Sequence, residues 1–174
     1  MTPETLIDTA RGLTSDASIE DAVARYFDDC PDSEAQRESA MEALAMRLWH
    51  QRDARDLPLI RVLTRRETAL RRHLGGCGDA LYALCHLLYR QGHVEDVLLL
   101  YAAKRANLDA GAMLEPDLLT LGRSREELLH FLDGRPAGTP EDSRLRQAVE
   151  RAFDSPSHDS LEALCAAADD YLRD

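Results

Sequence analysis

The stretch from Gly78 to Asn107, GDALYALCHLLYRQGHVEDVLLLYAAKRAN, holds the longest apolar runs of the chain, and the remaining residues must be arranged to cover it. In its first half Leu81, Leu84, Cys85 and Leu88 fall at i, i+3, i+4 and i+7, one face of a helix. Gly92 follows as a residue able to take the left-handed C′ conformation, so the spacing predicts a helix ending at Gln91. In the second half Val94, Val97, Leu98 and Tyr101 repeat the period, while Leu99, Leu100, Ala102 and Ala103 fill the other sides. A helix apolar all round is normally covered all round, so this second helix is expected at the centre of the fold.

Leu81, Leu84, Cys85, Leu88, Gly92 and Tyr101 stand in the order of apolar, small, turn and aromatic positions of one tetratricopeptide repeat. Residues 78–107 resemble a single unit of that family. The resemblance implies a helical hairpin stacked on others and a protein-binding role.

The rest of the chain fits a helical fold. Aromatic residues are 5% of the 174, and no window alternates β-branched residues as a strand would require. A chain of this length suits one α-helical domain over residues 1–174, with capping helices at 139–174 after a linker at 134–139 (Gly134 to Thr139). Helix starts are marked by Thr2-Pro3, Ser18, Asp32 or Ser33, Asp56 with Pro58, the Ser124-to-Glu127 capping box, Thr139-Pro140, and a point near Asp159. Helix ends are marked by Gly12, Cys30-Pro31, Gly75-Gly76 and Gly134, with a short helix expected around Asp117 to Leu121.

Sliding the sequence on itself by 40 residues aligns Ala43, Leu44, Leu48, Gln51, Asp56, Leu59 and Arg65 with Ala83, Leu84, Leu88, Gln91, Asp96, Leu99 and Arg105. The identities fall in matching helix phases, as two stacked hairpins would give. The expected architecture is all-α, antiparallel hairpins stacked as a short solenoid-like array of about 8–10 helices, akin to tetratricopeptide or HEAT arrays.

Charge is uneven. The net −11 divides into 3 Arg against 11 acids over residues 1–46, 8 Arg against 3 acids over 47–73, and 10 basic against 18 acidic residues over 74–174. The basic band, Arg61, Arg65, Arg66, Arg71 and Arg72, offers guanidinium groups to phosphates or an acidic partner. The competing reading is a solvated face paired with acids of the same molecule. Overall acidity and the lack of nearby aromatic residues for base stacking disfavour nucleic acid and favour a protein partner, including a basic one. Lys104 is the one lysine beside twenty arginines, and with Asn107 and Asp109 it forms a polar group where the most apolar helix ends. There it serves as a helix cap paired with Asp109, or as a ligand contact.

The four cysteines, Cys30, Cys77, Cys85 and Cys165, are scattered, and Cys77, Cys85, His86 and His93 lack zinc-site spacing. No phosphate loop, nucleophile elbow or metalloprotease motif occurs. The acidic pairs Asp28-Asp29 and Asp169-Asp170 fall near helix ends, where solvated carboxylates are the simpler reading than a catalytic pair. Without a signal peptide or a bilayer-length apolar run, a cytoplasmic protein with no membrane partner, metal or cofactor is expected. Three functions remain open: a non-catalytic protein-binding module whose contacts are Arg61, Arg65, Arg72, Lys104, Asn107 and Asp109; an acidic immunity or inhibitor protein that neutralises a basic toxin or enzyme; and a small enzyme with a pocket near Lys104 and Asp109.

Overall fold

A computed structural model describes residues 1–29, 33–135, 139–154, 156–157 and 160–173. Among them the chain is wholly helical, with ten α-helices and no strand. They are α1 (Pro3–Arg11), α2 (Asp16–Asp28), α3 (Glu34–Gln51), α4 (Leu57–Leu74), α5 (Asp79–Gln91), α6 (Val97–Lys104), α7 (Leu108–Met113), α8 (Arg125–Asp133), α9 (Pro140–Asp154) and α10 (Leu161–Tyr171). Short 3₁₀ turns at Ala54–Asp56, Val94–Asp96 and Pro116–Thr120 lead into or link them. The expected helix end at Cys30-Pro31, the middle of the 134–139 linker and the start at Asp159 lie outside the described residues.

Side-chain caps set most helix starts. Thr2, Ser15, Ser33, Asn107 and Ser160 each accept a backbone N–H from three residues on, and Ser124 with Glu127 closes a capping box. Helix α2 therefore begins one turn before the expected Ser18, because Ser15 takes the Ser18 N–H.

The centre of the fold is α5, not α6 as the apolar count predicts. Every residue from Ala80 to Tyr89 is buried. The helix lies between α3 and α4, and α10 and the 116–120 turn close its remaining sides. Along α6, Leu98, Leu99 and Ala102 stay partly uncovered. Hydropathy counts apolar residues, whereas burial depends on how many neighbours reach them; α6 has only 8 residues and leaves one flank open. One contiguous apolar core runs from Leu6 to Ala168.

The junctions α3–α4 and α5–α6, offset by 40 residues, have nearly the same backbone. Arg52 (φ 50°, ψ 36°) and Gly92 (φ 65°, ψ 29°) are both left-handed and donate to Leu48 O and Leu88 O. Asp53 (φ −81°, ψ 126°) matches His93 (φ −82°, ψ 122°), and Asp56 (φ −83°, ψ −5°) matches Asp96 (φ −72°, ψ −11°). Both aspartates are buried, and each receives a two-pronged arginine: Arg11 on Asp56 and Arg61 on Asp96.

Candidate functional site

The arginines singled out in the sequence do not form one surface. Arg61 is committed to Asp96 and to Glu95 Oε1 at 3.0 Å. Arg65 reaches Asp16 and Glu20 of α2, and Arg66 lies over the Phe27 ring, 4.5 Å from its centroid. Arg71 is buried between Glu67 and Glu38, with Nε donating to Glu67 Oε1 at 2.7 Å and Nη2 to Glu38 Oε1 at 2.6 Å. Arg72 alone of the five makes no contact with a carboxylate or an aromatic ring among the described residues.

Lys104, Asn107 and Asp109 are close in sequence but serve two separate joints. Lys104 Nζ donates to the carbonyls of Gly111, at 2.8 Å, and Leu114, tying α6 to the end of α7. It does not pair with Asp109, contrary to the sequence reading. The Asp109 carboxylate instead accepts the Gly76 N–H at 3.1 Å. The physical reason is Asn107, which caps α7 through Oδ1 while its Nδ2 donates to Arg71 O at 2.9 Å and Gly76 O at 2.8 Å. Those bonds turn the first residues of α7 toward the Gly75-Gly76 turn and carry Asp109 with them.

A polar chain crosses the interior beside Lys104. Glu115 accepts the Tyr82 hydroxyl at 3.1 Å on one oxygen and meets His86 Nε2 at 3.2 Å on the other. Tyr82 stacks on His86 (4.4 Å between centroids) and on Tyr171 (4.7 Å), whose hydroxyl donates to Asp79 at 2.9 Å. Burial raises the Glu115 pKa, but the bonds from His86, its own backbone and Tyr82 outweigh it and hold the carboxyl below the ordinary value. His86 is 1% exposed and packs edge-on to Trp49, so no substrate reaches its ring. Burial pushes the Cys77 thiol up to about 11 and the Cys85 thiol higher than usual as well, which keeps both protonated at neutral pH.

The open flank of α6 faces α9 across a cleft. At its wider end a cavity of about 430 Å³ has Tyr101, Pro116, Leu119 and Ala148 as its apolar lining. Its charged lining is Lys104, Arg105, Arg144 and Arg151, with no carboxylate. Arg144 and Arg151, one above the other on α9, make no hydrogen bond or ion pair among the described residues. Toward the start of α9 the cleft becomes mixed: Arg72 lines it, but Glu141 lies 3.6 Å from Arg105 and Asp142 lies 3.9 Å from Arg135. The sequence reading missed Arg105, Arg144 and Arg151. The i, i+7 spacing on α9 was visible, but which arginines of that helix stay unpaired was not, since Arg146 between them bonds Asp133 and Glu150.

Among the described residues no group of three or more His, Cys, Asp or Glu side chains is placed to hold a metal ion, and no helix is long and apolar enough to cross a membrane. Comparison of the chain with family models, curated proteins and solved structures finds no match.

Proposed function

We propose that this chain is a non-catalytic helical module that binds another protein, with the α6–α9 cleft as its contact face. The observation that carries the reading is the wider end of that cleft, lined by four cations and no carboxylate, two of the cations without a hydrogen bond or ion pair among the described residues, in a molecule of net charge −11. Unpaired guanidinium groups on a helix face are available to a partner at little desolvation cost, whereas the buried acid–base groups are already engaged with one another.

The two junctions with matching backbone, together with the packing of α2, α4 and α6 in succession and of α3 on α5, support a short solenoid-like stack in which α3–α4 and α5–α6 are successive units. The tetratricopeptide likeness of residues 78–107 belongs to the same reading. An acidic inhibitor that masks a basic toxin or enzyme would draw on the net charge, but the local surplus of cations directs this face toward an anionic partner. An enzyme built on Lys104 and Asp109 is less well supported, because the two side chains bond to different joints.

The test is an affinity column carrying the full chain, loaded with lysate at low salt and eluted with a salt gradient. A stoichiometric protein that leaves as salt rises agrees with the reading. Recovery of no protein, alongside turnover of a small molecule by the purified chain, rejects it.

A further inference from the structure

Resting on that reading, we infer that the α6–α9 cleft recognises an acidic peptide segment, with two carboxylates flanking one apolar side chain. The geometry sets the spacing. Arg144 and Arg151 are seven residues apart on α9, so their stems are separated by about 10 Å along the helix axis. A peptide in the polyproline II conformation advances about 9 Å in three residues, one full turn, so its side chains i and i+3 return to the same face. Carboxylates at positions i and i+3 therefore align with the two arginines.

The apolar lining specifies what lies between them. Leu119 and Tyr101, 2% and 8% exposed, are the most buried apolar residues that line the cavity, and half-buried Pro116 and Ala148 complete its apolar base. This surface takes a leucine-sized side chain. Arg105, across the cleft on the α6 side, is held over the Tyr101 ring with Nη1 on the Tyr101 hydroxyl at 3.2 Å, and its only carboxylate neighbour among the described residues is the exposed Glu141 at 3.6 Å, which a peptide carboxylate would have to displace. A bare phosphate would use the cations and leave the apolar base unused, and a nucleic acid would bring its phosphates against the acidic remainder of the molecule.

The experiment titrates the full chain into a fluorescein-labelled peptide with two glutamates three residues apart around a leucine, at low and physiological salt. Controls replace both glutamates by glutamine or the leucine by serine. Inorganic pyrophosphate and a short oligouridylate are offered separately. The parent should bind the glutamate–leucine peptide, bind the serine peptide more weakly and leave the glutamine peptide free. The double variant Arg144→Gln/Arg151→Gln, altered only at exposed side chains that have no partner among the described residues, should melt like the parent and lose at least about tenfold in affinity.

Equal binding by parent and double variant overturns the inference. So does saturation by pyrophosphate or the oligouridylate when the peptide fails, and so does binding of no probe at all. The same column run with the double variant separates the two levels of argument. A partner still captured there, with no peptide bound by the parent, rejects the cleft and leaves the binding-module reading standing; no partner captured by either chain rejects both.

Discussion

Arg61 holds Asp96 from two sides, Nε on Oδ1 at 2.7 Å and Nη2 on Oδ2 at 3.1 Å, so a guanidinium that the sequence offers to a ligand is engaged at the entry to α6. The Asp96 side chain is 2% exposed and that of Arg61 23%. Asp96→Leu should cost about 2 kcal/mol, because it leaves a largely buried cation with only the half-exposed Glu95 carboxylate, and Arg61→Met added to it should restore much of that loss. Urea midpoints of the two single variants and the double give the coupling; additive losses would refute the pair.

Asn107 separates donor from acceptor roles in one side chain. Asn107→Asp keeps the cap to Ala110 but cannot donate to Arg71 O and Gly76 O, so it should lose about 2 kcal/mol, close to Asn107→Ala. If the aspartate variant melted with the parent, the clasp on the Gly75-Gly76 turn would not matter.

Lys104→Met leaves the carbonyls of Gly111 and Leu114 without their ammonium donor and should cost about 2 kcal/mol. Asp109→Asn should not reproduce that loss, since the two side chains do not meet. A double-mutant cycle with a coupling energy near zero is the expected outcome, and strong coupling would restore the pairing that the sequence suggests.

Gly78 has φ +70°, and a Cβ there would lie 2.7 Å from Arg71 Cζ. The guanidinium cannot retreat without leaving Glu67 and Glu38. Gly78→Ala should therefore cost more than the ~1 kcal/mol of a left-handed alanine alone, measured by thermal melting. A loss limited to that backbone cost would show that Arg71 shifts freely.

Glu67 and Glu115 should respond to pH in opposite senses. Burial raises the Glu67 pKa above 4.5, so its contribution to stability is complete below 4.5 and declines as pH rises through the raised value. Glu115 is lowered, so its contribution is complete above 4.5 and declines as pH falls through the lowered value. The stability difference between parent and Glu67→Gln should grow on acidification, and that between parent and Glu115→Gln should shrink. Parallel slopes would contradict both assignments.

Much of the helix punctuation was legible because capping is local: Thr2, Ser33, Ser124 and Gly92 act within four residues of themselves. What could not be read depends on distant partners. Leu98 and Leu99 look as apolar as Leu84 and Leu87, yet only the last two are enclosed. Arg65 and Arg151 look alike as well, yet α2 brings Asp16 to the first, whereas the second has no ion pair among the described residues. Lys104 was identified by its rarity in the composition, but its partners are backbone carbonyls, which carry no sequence signature.

The closure of α5 by α10 sets a timetable for synthesis. Arg90 of α5 meets Asp169 of α10 across 79 residues, Arg52 joins the same carboxylate, and Tyr171 lies on Tyr82. At 5–20 residues per second the ribosome needs about 4–16 s to make the intervening chain. For that interval the most deeply buried helix of the protein has one side open, and misassembly is most to be expected between the emergence of α5 and that of α10.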